Sequence, residues 1–192
     1  MAIVLASKSP RRSELLRQLG ITEFLVLPAV GEEYKDPALS PEELVEALSR
    51  QKAEEVAAAR GAEDVIIGAD TVVAVDGTVL GKPHDEAEAE EMLSRLSGRH
   101  HKVCTGVTVI RGTERRTAHA VTEVEFRPMT REEIRWYIST GEPMDKAGAY
   151  GIQGLGARFI PAIRGDYSNV VGLPLCLLDR LLTEINNEPA GR

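Results

Sequence analysis

Strand-like and helix-like stretches take turns along this chain from end to end, rather than separating into halves, which argues for an α/β architecture. The apolar run Ile3-Val4-Leu5-Ala6 breaks into the polar loop Ser7-Lys8-Ser9-Pro10-Arg11-Arg12 and then into the helical spacing of Ser13 to Gly20. Glu23 to Pro28 reads as a second strand. Ser40-Pro41-Glu42-Glu43 carries a cap, a first-turn proline and a capping-box glutamate, predicting a long helix to Arg60 that stops at Gly61. Asp64 to Ala69 is a short apolar run of the fully buried strand type, and Val72 to Leu80 reads as a hairpin turning at Asp76-Gly77. A helix follows from Asp85 to Ser97, ended by Gly98. Lys102 to Arg111 and Arg115 to Phe126 alternate well enough to pair as a hairpin around Gly112-Thr113. Thr130-Arg131-Glu132-Glu133 is a second capping box, opening a helix to Thr140 that stops at Gly141. A last helix begins near Leu173-Pro174 and runs to Asn186, leaving 187–192 as a frayed polar tail. No repeat or linker divides the chain, so 1–192 reads as a single domain whose two lobes interleave in sequence.

Composition narrows the partners. With 23 Lys and Arg against 30 Asp and Glu, the net charge of −7 makes long nucleic acids poor partners, while a local basic pocket can still take a small anion. Cys104 and Cys176 lie far apart with no CxxC spacing, so neither a disulfide framework nor a zinc site is suggested and a reducing cytoplasm is expected. His84, His100, His101 and His119 lack a metal-binding spacing. No apolar run approaches the ~20 residues of a membrane span, so no membrane partner is expected.

Five clusters carry chemical interest. At the start of the first helix, unpaired backbone N–H groups and the helix dipole favour an anion, and Ser7, Arg11 and Arg12 would complete a phosphate receptor there; the plain alternative is a strand-to-helix turn with two solvated arginines. Gly68-Ala69-Asp70-Thr71 closes the buried strand, where ligands collect in open α/β sheets. Asp70 there could bind a metal or take a proton from water, or simply cap a turn, and Thr71 could read a base or ribose edge. Lys82, in the loop Gly81-Lys82-Pro83, suits a phosphate, as does Lys52, although Lys52 has Glu55 three residues on and a surface ion pair is its default. Glu32-Glu33, in the loop from Val30 to Tyr34, could complete an oxygen shell around Mg²⁺ or Mn²⁺. Finally, the glycine-rich stretch from Gly141 to Gly154 would let backbone approach a ligand closely, and Gln153 offers a donor and an acceptor to a base edge.

These motifs occur together and in order in one known family. Ala6-Ser7-Lys8-Ser9-Pro10-Arg11-Arg12-Ser13-Glu14-Leu15-Leu16, Gly68-Ala69-Asp70-Thr71-Val72-Val73, Gly81-Lys82-Pro83, Leu96 to Gly106, Gly141 to Gly154 and Val171-Gly172-Leu173-Pro174 closely resemble the Maf nucleotide pyrophosphatases, over Ile3 to Leu182. The resemblance implies a mixed twisted sheet with flanking helices, related to the inosine triphosphate pyrophosphatases, with two lobes around a central cleft. It also implies a divalent metal, Mg²⁺ or Mn²⁺, a homodimer in the cytoplasm, and hydrolysis of nucleoside triphosphates to the monophosphate and pyrophosphate. House-cleaning of noncanonical nucleotides and a role in cell-division arrest are implied with it. Carried over by position, Asp70 looks like the general base and Glu33 its companion in the metal shell. Lys82 belongs with them among the catalytic groups, and Ser7, Arg11, Arg12, Lys52 and Lys82 look like the phosphate-holding set.

Arg12, Thr71 and Gln153 look like the residues of the family's pyrimidine branch, which prefers dTTP and UTP; a sister branch acts on 7-methyl-GTP with different residues there. Two rival readings remain at this stage. One is a nucleotide-sensing binding module in septum control, and the other is a phosphomonoesterase using the same pocket, although the chain has neither a P-loop Gly-Lys-Ser/Thr nor a Cys-x5-Arg nucleophile loop.

Overall fold

The computed structural model describes residues 1–33 and 36–187. The polar tail therefore lies outside the described residues beyond Asn187, as does Tyr34. Strand β1 (Ile3–Leu5) leads into helix α1 (Pro10–Gln18), and α1 begins at Pro10 rather than Ser13, so Arg11 and Arg12 stand in its first turn. Proline fits there because it has no N–H to leave unpaired and its φ is already helical. Then come β2 (Leu25–Val26), α2 (Pro41–Ala58), β3 (Val65–Val75), β4 (Thr78–Leu80) and α3 (Glu86–Leu96). The long hairpin β5 (His100–Arg111) and β6 (Glu114–Glu125) follows, then α4 (Arg131–Ser139), short 3-10 turns, β7 (Ala162–Arg164), α5 (Tyr167–Val171) and α6 (Leu175–Asn187). Both capping boxes close as expected: the Ser40 and Thr130 side chains accept from the amides of Glu43 and Glu133, whose carboxylates reach back. The β3–β4 turn has positive φ at Asp76 and Gly77, the geometry that matches strand twist in a two-residue hairpin.

Seven strands form one mixed sheet in the order β2-β1-β3-β5-β6-β7, with β4 also on β3. Among the described residues only the β1–β2 and β1–β3 pairs are parallel. The sequence suggested a strand ending near Ala69 and a separate one from Val72. Instead β3 runs unbroken, because β5 pairs with it continuously from Val65 to Ala74. That long-range ladder carries the strand through the polar pair Asp70-Thr71. Strand β7 and helix α5 are further elements that the apolar pattern did not signal.

One asymmetry of the sheet creates the site. On the side of β3 away from β5, β1 covers only Val65 to Ile67 and β4 only Val73 to Val75, leaving a gap in between with Asp70 at its middle. Helix α2 closes the face of β3 and β5 above that gap. It lies so near the sheet that a Cβ on Gly68 or Gly106 would run into its backbone or the Ala53 methyl. Apolar packing follows the long strands in both directions from the gap. Leu5, Leu15, Leu16, Ile67, Leu173 and Leu178 fill one side, while Val73, Leu93, Leu96, Phe126, Tyr137 and Phe159 fill the other.

Candidate active site

Asp70 lies on the sheet face that α2 covers, opposite Gly106, whose missing side chain lets the helix pass overhead. Lys52 of α2 consequently reaches down rather than out. Its ammonium bonds the Asp70 carboxylate and lies 2.8 Å from Glu33 Oε1, with its side chain 18% exposed. The surface pair that its spacing to Glu55 suggested does not form. Glu55 instead accepts from the Val30 amide at 2.7 Å and the Gly31 amide at 3.1 Å, and Gln51 donates to the Glu32 carbonyl at 2.6 Å. These bonds pin the loop before Glu33 to α2 and bring Glu33 to Lys52. Glu32 is exposed and stays off the cleft wall.

Arg12 works on the other face of β3. Its Nε donates to the Gly172 carbonyl at 2.7 Å, one terminal nitrogen donates to Ser7 Oγ at 3.2 Å and the Ala69 carbonyl at 2.8 Å, and the other to Thr71 Oγ1 at 3.0 Å. The Ala69 carbonyl is one that a longer β1 would have paired, since the Ile67 carbonyl just before it takes the Ala6 amide at 2.8 Å. Arg12 thus satisfies the backbone that the gap leaves open. It also ties Thr71 and Ser7 to the segment after α5. Burial pulls its pKa down, with Asp70 opposing that shift and Arg11 adding to it. Four of its donors are therefore held by the protein, a scaffold role that the sequence did not disclose.

All nine sequence-selected residues, Ser7, Arg11, Arg12, Glu33, Lys52, Asp70, Thr71, Lys82 and Gln153, line one cleft of about 1700 Å³. That volume exceeds the ~300–1,000 Å³ of small-ligand pockets. Arg11 leans toward Asp145 at 3.4 Å. Lys82 titrates below the ordinary lysine range, first because of partial burial and then because Lys8, Lys52 and Arg12 crowd it with like charge. Lys8 belongs to this cationic wall although only its neighbours in the loop were singled out from sequence. The far wall carries Gln153, exposed, after the turns Glu142–Asp145 and Ala147–Ala149.

The glycines of that wall do something other than expected. A Cβ on Gly148 would strike Val73, one on Gly151 the Lys146 stem and one on Gly154 the Glu142 carboxylate. Those three glycines thus admit protein side chains, not a ligand, to the backbone. Lys146 likewise faces inward, donating to the Glu142 carbonyl at 2.8 Å and to Asp145 at 2.6 Å.

Among the described residues no cluster of three His, Cys, Asp or Glu side chains is placed to hold a metal ion. Asp70 and Glu33 nevertheless converge on one point, marked by the Lys52 ammonium. A hard cation such as Mg²⁺ is commonly held by one or two carboxylates plus phosphate and water, so this pair fits that pattern. No helix among the described residues is long and apolar enough to cross a membrane.

A mixed α/β sheet opened at one strand thus sets an acid–lysine–acid centre in a cleft whose wall also carries Lys8, Arg11 and Lys82. The chain belongs to the Maf-like protein family, whose profile matches residues 2–185. It is 57% identical over 182 residues to the dTTP/UTP pyrophosphatase of Symbiobacterium thermophilum, covering 95% of this chain and 93% of that one. It is 56% identical over 186 residues to the dTTP/UTP pyrophosphatase of Carboxydothermus hydrogenoformans, covering 96% and 98%. The fold is also that of a HAM1 protein from Coxiella burnetii, with a TM-score of 0.53 at 16% identity over 96% of this chain and 99% of that one.

Proposed function

We propose that this protein hydrolyses dTTP and UTP to the nucleoside monophosphate and pyrophosphate. The observation that carries the reading is the Lys52-centred pair of carboxylates, Asp70 and Glu33, set in the β3 gap and faced by Lys8, Arg11 and Lys82. Names of relatives at 56% and 57% identity over nearly the whole chain support it. Cleaving a phosphoanhydride needs an oriented water, a group to take its proton, and positive charge where negative charge accumulates. Asp70 is the proton acceptor in this reading. Lys52 holds Asp70 in place and, with Lys82 and Arg11, faces the triphosphate and the departing pyrophosphate. Ser7 adds a hydroxyl to the phosphate end, and Arg12 keeps Ser7 and Thr71 in position. Gln153 on the far wall faces the base, where an amide can bond a uracil-type edge while the wall excludes purines. A divalent cation, Mg²⁺ or Mn²⁺, would be held by Asp70 and Glu33 with phosphate and water, and supplies charge neutralisation when bound. Within this reading the enzyme works on free nucleotides in the cytoplasm, as a homodimer.

The test is a product assay on purified protein with Mg²⁺ or Mn²⁺, offering dTTP, UTP, CTP, GTP and 7-methyl-GTP and separating pyrophosphate from orthophosphate. Pyrophosphate from dTTP and UTP is expected, with turnover lowered about 10²–10⁴-fold by Asp70→Asn in a protein that still folds by circular dichroism. Orthophosphate as product, or tight binding without turnover, would overturn the reading.

A further inference from the structure

Gln153 stands on a stretch that its own sequence leaves slack, with glycines at 151, 154 and 156. The structure fastens that stretch on both sides of Gln153 to two side chains that do not line the cleft. Before it, the Gly151 amide donates to the Tyr137 hydroxyl at 3.1 Å. After it, the Leu155 amide donates to Glu142 Oε2 at 2.8 Å and the Gly156 amide to Oε1 at 3.0 Å. The two anchors are themselves joined, since the Tyr137 hydroxyl donates to Glu142 Oε1 at 2.8 Å. Tyr137 is fully buried on α4, and burial, reinforced by Glu142, holds its hydroxyl protonated far above the ordinary tyrosine range. Burial alone would raise the Glu142 pKa, but the two amides and the Tyr137 hydroxyl together bring it below the ordinary range, so the acceptor stays ionised. The glycines complete the fit: a Cβ on Gly154 would sit 2.6 Å from the Glu142 carboxyl carbon, and one on Gly156 would sit 2.6 Å from the Tyr137 hydroxyl.

We infer that Tyr137 and Glu142 are positioning residues for nucleotide selectivity: as a hydrogen-bonded pair they clamp the backbone on either side of Gln153 and so fix the wall that reads the base. The inference rests on the proposed role of Gln153. A backbone amide tied to a half-buried, ionised carboxylate moves little, whereas a glycine-rich loop without those ties samples many conformations, each presenting the amide and the wall differently. Lys146 braces the same device from below through the Glu142 carbonyl. The pair touches neither the phosphate end nor Asp70, so its loss should act on discrimination between bases more than on bond cleavage.

The experiment compares kcat/KM for UTP and GTP in the wild type, Tyr137→Phe, Glu142→Gln, Gln153→Ala and the double variant Tyr137→Phe with Gln153→Ala. Thermal melting of each accompanies the kinetics. Glu142→Gln keeps the shape but cannot accept from both amides, and Tyr137→Phe removes one hydroxyl. Each single variant at 137 or 142 is expected to lower the UTP-over-GTP ratio about ten-fold, while turnover at saturating UTP changes about three-fold or less. In the Gln153→Ala background, Tyr137→Phe should lower the ratio no further, because groups that act through one another are not additive. Equal losses on both nucleotides with the ratio intact, or additive losses in the double variant, would overturn the clamp. A ratio unchanged by Gln153→Ala itself would overturn the base-reading role, and the clamp's function with it.

Discussion

The two ends of the cleft hold their key groups by different means. At the end proposed to take the phosphates, side chains from α1, α2, β3 and two loops meet, and they hold one another by charge: Lys52 on Asp70 and Glu33, Arg11 on Asp145. At the Gln153 end the holding is done through backbone amides, received by a buried phenol and a carboxylate. Charge holds are exchangeable, since a phosphate or a cation can replace any partner, and their strength depends on pH and salt. Amide holds are fixed in geometry and insensitive to salt. The first arrangement suits an end where charge must be redistributed as a bond breaks, the second an end where shape must be recognised. Substitutions at the two ends should therefore differ in kind, rate on one side and selectivity or stability on the other.

The sharpest break of that contrast is at Lys52. Lys52→Met keeps the length of the stem on α2 but leaves Asp70 and Glu33 facing each other without the charge that joins them. Loss of one preorganised charge partner in a site costs about 10²–10³-fold in rate. We expect a loss of that size in kcat/KM on dTTP and UTP alike, with the preference between UTP and GTP unchanged, measured by steady-state kinetics. A loss confined to one nucleotide would mean that the two ends are not separate in function.

How much of this was legible in the sequence follows from the same contrast. Elements with chemical punctuation at their ends could be read off, as Ser40 with Glu43, Thr130 with Glu133 and the Asp76-Gly77 turn illustrate. The residues of the charged end are candidates by residue type, each with a plain alternative, and it is the ordered set of motifs resembling the Maf family that selects them. What they do to each other could not be. Lys52 chooses Asp70 over Glu55 because Gly68 and Gly106 draw α2 onto the sheet, and that depends on strands distant in sequence. Arg12 fills a backbone gap that exists only because β1 stops at Leu5 while β3 continues to Val75. Likewise β7 and α5 are short and held by long-range bonds, such as those from Asn169 to the Val103 carbonyl and Thr122 hydroxyl. The sequence signal for the Tyr137–Glu142 clamp is present in the glycines, but from sequence it reads as the close approach of a ligand, whereas protein side chains fill that space.

A second break tests the fixed end through pH. His101, buried on β5, bonds Tyr150 through Nε2 at 2.8 Å and packs edge-on against Phe126, just before the stretch that the clamp holds. Burial, with a smaller push from His100, pulls its pKa from 6.5 down to about 4. An unfolded chain therefore takes up this proton as pH falls through 6.5, whereas the folded chain refuses it until about 4. Between those values the unfolded state binds more protons, and stability falls with falling pH by up to about 1.4 kcal/mol for each pH unit. Above 6.5 the imidazole is neutral in both states and its full contribution is present. Denaturant unfolding at pH 7.0, 5.5 and 4.5 should show the wild type losing about 2.4 kcal/mol more across this range than His101→Gln, which cannot titrate. Parallel slopes for the two proteins would contradict a neutral buried His101.

The smallest effect belongs to Asp145, which sits between the two ends. Its carboxylate takes the Lys146 ammonium at 2.6 Å and Arg11 at 3.4 Å, and it offsets the like-charge crowding around Lys82. Burial pushes the Asp145 pKa up, but Lys146 and Arg11 outweigh that and leave it below the ordinary range, so the charge is present at neutral pH. With its side chain 66% exposed, this is a screened surface pair of modest strength. In the proposed reading it competes with phosphate for Arg11. Asp145→Asn should therefore lower KM for UTP about two- to five-fold at low ionic strength, with kcat little changed, and the advantage should vanish near 1 M salt, where the screening length is about 3 Å. A KM that rises instead, and does so independently of salt, would place Asp145 with the Glu142 clamp as a geometric support and move the boundary between the two ends toward the phosphates.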